Sequence, residues 1–124
     1  MEVPTDEQFE DWVNAGISAI PKLYQGNLNN VAIVIADEPT PEQREKLKLR
    51  CDQTLFGLYE GIPLTKRGTG YNLVLPDKIT IFKLPMVHAS QNEAEIKEQV
   101  RHTVWHEIAH FYGLNHDQIH KLEK

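Results

Sequence analysis

The stretch Gln91–His116, QNEAEIKEQVRHTVWHEIAHFYGLNH, decides how the rest of the chain is read. Ile96, Val100, Val104, Ile108 and Phe111 recur at helical spacing and make one apolar stripe. Ser90 as N-cap with Glu93 three residues on predicts a capping box, and Gly113 suits the left-handed turn that ends a helix. The helix expected over 91–112 would run roughly 33 Å at 1.5 Å per residue. Within it, His106 and His110 lie one turn apart and project from a common face, about 120° around the helix from the stripe. The stripe can therefore cover a sheet while the histidines line a cleft.

That spacing lets two imidazoles reach one metal ion, and His-Glu-x-x-His on a helix is the zinc-binding arrangement of metallopeptidases. Glu107 follows the first histidine and is within reach of a water on the ion. It is the candidate general base, able to take the water's proton and deliver it to a leaving amine. A straight helix would carry position 116 past the ion, but Gly113 lets the chain turn back, so His116 is the candidate third ligand. Three protein ligands leave one position open, as in catalytic rather than structural zinc sites. Asp117 is the rival third ligand, since oxygen also suits zinc. With six His, twelve Glu and seven Gly in 124 residues, the five fixed positions of HExxHxxGxxH coincide by chance in about one such sequence in ten thousand.

Other side chains carry less. His102 lies one turn before His106, as a surface residue or a hydrogen-bond partner of the site. His88 and His120 have no required role. Trp105 reads as core, Cys51 as an ordinary free thiol, and Lys66–Tyr71 as a solvated turn. Tyr71, Tyr112 and His102 are candidates to stabilise an oxyanion.

Outward from this helix, Thr5–Ile20 is a second amphipathic helix, with Thr5 and Gln8 as its capping box and Phe9, Trp12, Val13, Gly16, Ile17 and Ile20 as its stripe. Residues 30–36, NVAIVIA, predict a strand covered on both faces. A short helix is expected over 42–49, strands over 54–62 and 78–84, and a last helix over 117–122. Within the third strand Thr80 and Lys83 are read as facing solvent. The order of elements is that of an α+β domain.

At this length, residues 1–124 fit a single domain. A net charge of −5 argues against a nucleic-acid binder, whose affinity usually rests on a basic face. The apolar runs fall short of the ~20 residues that span a bilayer. One cysteine makes no internal disulfide, which suggests a cytoplasmic setting. The expected partner is a peptide or protein substrate, with neither nucleic acid nor membrane.

The sequence resembles the small zincin-like metallopeptidases of bacteria. The likeness is carried by residues 30–41 (NVAIVIADEPTP), 57–68 (GLYEGIPLTKRG), 75–82 (LPDKITIF) and 100–113 (VRHTVWHEIAHFYG). No methionine follows His116, so the methionine turn of the metzincins has no counterpart. The resemblance implies a zincin-like fold with a small mixed sheet and the metal on the long C-terminal helix. It also implies Zn2+ as cofactor, held by His106 and His110, with Glu107 as general base. By analogy with zincins, substrate would lie extended along an edge strand, for which residues 78–84 are the candidate. Two other readings stay open at this point: a zinc-dependent endoribonuclease using His106, His110 and His116, and a non-catalytic zinc-binding domain.

Overall fold

Side-chain caps set where the helices begin. In the computed structural model, which describes residues 3–26, 28, 31–48, 56–61 and 77–123, the Thr5 hydroxyl accepts from the Gln8 amide and the Gln8 side chain accepts from the Thr5 amide, both at 3.1 Å. That reciprocal box opens α1 (Asp6–Ala19). A 3-10 turn, Lys22–Tyr24, leads to β1 (Val31–Ala36). Then follow α2 (Pro41–Lys48), β2 (Gly57–Glu60), β3 (Asp77–Phe82), α3 (Lys83–Ala89), α4 (Glu93–Phe111) and α5 (His116–Glu123). This is the expected α+β order, with one helix added.

The three strands form a mixed sheet in the order β1-β3-β2. β1 runs parallel to β3, with Ile33 opposite Ile79, and β2 runs antiparallel, with Tyr59 opposite Ile79. The central strand is therefore the last in sequence, and it is the one buried almost throughout. Ile79, Ile81 and Phe82 have no exposure.

Two expectations about β3 are corrected by this position. Residues 78–84 are not a sheet edge, because β3 is paired on both sides. Thr80 and Lys83 do not face solvent, being 2% and 6% exposed. β1 departs in the opposite sense. It lies at an edge and alternates half-buried with exposed residues over most of its length, Val34 being 37% exposed. The apolar run read as covered on both faces is covered on one.

The added helix, α3, springs directly from β3. Pro85 occupies its first turn, where a missing amide costs no helical hydrogen bond. Lys83 starts this helix and spans to α1, its buried ammonium donating to Asp6 Oδ1 at 2.9 Å. The cap of α4 is likewise moved. Asn92, not Ser90, accepts from the Glu95 amide at 2.9 Å, and Ser90 instead closes α3. Helix 91–112 is thus trimmed to 93–111, roughly 28 Å.

α4 carries the core. All five stripe residues are buried, together with Phe9 and Val13 of α1 and Ile79 and Ile81 of β3. Its end has the geometry the glycine implied. Gly113 sits at φ 82°, its amide donates to His110 O at 2.9 Å, and the Leu114 amide donates to Ala109 O at 3.0 Å. This is a Schellman closure, and it turns the chain into α5. Asn115 then caps α5 by exchanging hydrogen bonds with Gln118, both at 2.9 Å. Among the described residues no helix is long and apolar enough to cross a membrane.

Helices α1 and α4 meet at Gly16, where an added Cβ would stand 3.4 Å from Arg101 Cα and 3.5 Å from Val104 Cβ. A methyl there makes ordinary van der Waals contact with α4, and bulk added beyond it is expected to press on Arg101 and Val104. Gly16→Ala is expected to change stability by less than about 1 kcal/mol, since its helix-propensity gain offsets the close contact. Gly16→Leu is expected to cost about 1–3 kcal/mol by overpacking. Urea denaturation of the two variants checks the contrast.

Candidate metal centre

α4 aims His106 and His110 to one side because residues four apart share a helix face. Their rings are 4.7 Å apart between centroids and stand nearly perpendicular, at 78°. Ligand atoms of His106, Glu107 and His110 all lie within 4.8 Å of one another. Around a tetrahedral zinc with bonds of ~2.0–2.1 Å, two ligand atoms stand roughly 3.4 Å apart. Modest side-chain rotation closes that gap for His106 and His110, whose two imidazole nitrogens are donors that zinc accepts, with the Glu107 carboxylate beside them. The residues fit the ion.

Glu107 has no exposure at all. A carboxylate so placed needs hydrogen bonds or countercharge to be tolerated. One of its partners is backbone: Glu107 Oε1 accepts from the Tyr59 amide at 2.9 Å. The ladder explains why that amide is available. Phe82 N–H donates to Phe56 O at 2.8 Å, and bonded pairs alternate along antiparallel strands. Leu58 therefore faces into the ladder, and Gly57 and Tyr59 direct their backbone groups outward from β2. The outward amide of Tyr59 meets α4 at the residue between the two histidines.

This approach is close because Gly57 has no side chain. A Cβ there would lie 2.7 Å from Thr103 Cγ2, 3.1 Å from Glu107 Cγ and 3.3 Å from Thr80 O. Tyr59 then secures the strand. Its ring packs edge-on to Phe111 at 6.0 Å, and its hydroxyl donates to Asp77 Oδ2 at 2.8 Å. At the far end of β2, Glu60 is held to α2 by Gln43, at 3.2 Å, and by Lys46. Burial pushes the Glu60 carboxyl up, but the hydrogen bonds from Lys46 and Gln43, with the charges of Lys46 and Lys78, outweigh it and hold its pKa below the ordinary glutamate value.

The sequence candidates distribute as follows. His106, Glu107 and His110 are brought together. His116 is the first residue of α5, just past the Schellman turn, but its side chain lies outside the described part of the structure. Asp117 follows it and is exposed. His102 is exposed, with its ring stacked on His106 at 6.1 Å and 30°. Tyr112 is half-buried between Tyr24 and Phe111, with ring centroids 5.0 and 5.2 Å away. Trp105 belongs to the core at 6% exposure, and His88 is exposed on α3. Tyr71, Cys51, the turn 66–71 and the side chain of His120 lie outside the described residues.

A family model described as a zincin-like metallopeptidase matches residues 28–124. The chain belongs to the zincin-like metallopeptidase family. No curated protein matches the sequence. In this family member, the sheet that carries Tyr59 and the helix that carries His106, Glu107 and His110 both fall inside the matched span.

Sequence reasoning found the histidines of this zincin-like chain and missed what holds the glutamate. Gly57, Tyr59 and Asp77 had no assigned part. One signal was present, because a glycine inside a strand pattern marks a place where another backbone or side chain comes close. Gly57→Ala is therefore expected to destabilise the fold by about 1–3 kcal/mol. Adding Thr103→Ser removes the nearest clashing methyl and is expected to restore part of that loss. Urea midpoints of the single and double variants, with Thr103→Ser alone as the reference, test the contact.

Proposed function

We propose that this zincin-like chain is a zinc-dependent peptidase, with His106 and His110 as metal ligands, His116 as the third and Glu107 as the general base. The observation that carries the reading is the fully buried Glu107 carboxylate, fixed by a backbone amide between two imidazoles one helical turn apart. A carboxylate is costly to bury, and a merely structural zinc pair does not require one at that position. The same point weighs against the ribonuclease reading, in which three histidines suffice.

When bound, zinc supplies Lewis acidity, polarising a carbonyl and lowering the pKa of water. The protein's part is positional. The Tyr59 amide donates to Oε1 of Glu107 and fixes the direction of the carboxylate, whose part is to accept a proton from the attacking water and return it to the leaving nitrogen. Holding the base in a dry setting fixes its direction before substrate arrives. The strand beside these groups is β2, not β3, so an extended substrate is assigned to the β2 side of the sheet. His102, stacked on His106, is placed to orient that ligand or to meet substrate at the rim.

Glu107→Gln retains an oxygen able to accept the Tyr59 amide and removes the base. Purified with zinc, this variant is expected to keep one equivalent of metal and to lose hydrolysis of an unfolded protein such as casein by at least about 100-fold. Wild-type hydrolysis should disappear with a chelator and return with zinc. His106→Ala and His110→Ala are expected to lose the metal itself, as read by elemental analysis and by loss of zinc-induced thermal stabilisation. A fully active Gln variant would overturn the mechanism, and stoichiometric zinc in both histidine variants would overturn the site.

A further inference from the structure

We propose that the groove between α1 and the outer edge of β1 binds an extended peptide segment bearing lysine or arginine at alternate positions, which adds to the sheet as a strand beside β1. β1 is the edge opposite to β2, so this surface is separate from the histidine cluster. The proposal does not depend on the metal or on catalysis.

Three features carry it. Among the described residues, β1 has a strand on one side only, and an edge strand offers backbone donors and acceptors to a further strand. Beside that edge lies a groove of about 500 Å³, with apolar walls from Val13 and Ile17 of α1 and Ile33 and Ile35 of β1. Its polar lining among the described residues is three carboxylates and the neutral Asn14. Asp6 and Glu10 line it from α1 and Asp37 from the end of β1, all three residues exposed, and no lysine or arginine is among the described lining residues.

The spacing of the carboxylates selects an extended cationic partner. Asp6 and Glu10 are one helical turn apart on the same face of α1, roughly 6 Å along its axis. In an extended strand, side chains on one face repeat every two residues, about 6.6 Å. The two repeats match, so alternate cations on an added strand that runs along α1 would keep step with these two carboxylates. Lys83 already donates to Asp6, from the side of β3, which holds that carboxylate at the groove wall. A second copy of this chain pairing through its own β1 is disfavoured as the occupant, because that strand, VAIVIA, carries no lysine or arginine to meet the carboxylates.

The test uses the full chain and a short acetylated peptide alternating lysine with valine. Matched controls are the glutamate–valine peptide and the lysine peptide with every backbone nitrogen methylated. In titrations of 15N-labelled protein, the lysine peptide is expected to saturate below about 1 mM. It should shift amides of β1 and of the Asp6–Ile17 face of α1, and weaken at least tenfold as salt rises from about 0.05 to 0.3 M. Glu10→Lys with Asp37→Lys, both exposed, is expected to weaken it at least tenfold. Failure to saturate, equal binding of either control peptide, shifts centred on β2 and α4, or an unchanged affinity in the double variant would each overturn the proposal. So would concentration-dependent self-association through β1 in the absence of peptide. If the double variant misfolds by circular dichroism, the control peptides on the unaltered chain decide the matter.

Discussion

A fully buried carboxylate ties the long helix to the sheet. Glu107 lies in the middle of a buried helix face, and its Oε1 takes the outward amide of Tyr59. Leaving either group buried without a partner costs about 1–3 kcal/mol, so the pairing sets both the height of α4 against β2 and the direction of the side chain. Much around it follows from that constraint. Gly57 has to be glycine for the strand to come close enough. Tyr59 is braced by Asp77 and Phe111, and the distal end of β2 is clamped to α2 through Glu60.

The hydrophobic core supports this arrangement from the other side. The apolar stripe of α4 packs on α1 and β3, leaving the neighbouring arc of the helix to carry His106 and His110. Side chains on a rigid, buried helix keep their direction better than side chains on a loop, which is what a metal-binding pair needs. The Schellman turn at Gly113 then ends the helix within one turn of His110 and returns the chain as α5. The fold thus brings residues far apart in the chain, Tyr59 and Glu107, into the same few ångströms as the histidines.

The part of this legible in sequence was the part written at short range. The spacing of His106 and His110, the α4 stripe, the Thr5–Gln8 box and the Gly113 stop each depend on residues within one or two turns, and each is present in the structure. What was misread depends on strand order. Residues 78–84 have the composition of a half-exposed strand, yet β3 is central because β1 and β2 flank it, and Thr80 is buried as a consequence. β1 is more apolar by composition and lies at an edge. The Tyr59–Glu107 bond spans 48 residues and joins a backbone group to a side chain, so no periodicity could announce it.

The central claim is that α4 holds zinc through His106 and His110, with Glu107 turned to chemistry. X-ray absorption at the zinc edge of the metal-loaded chain tests it most directly, compared with the His110→Ala variant. The account predicts imidazole nitrogens at about 2.0–2.1 Å with the multiple-scattering pattern of histidine, and a loss of that pattern in the variant. A first shell without imidazole, or one unchanged when His110 is removed, would contradict it.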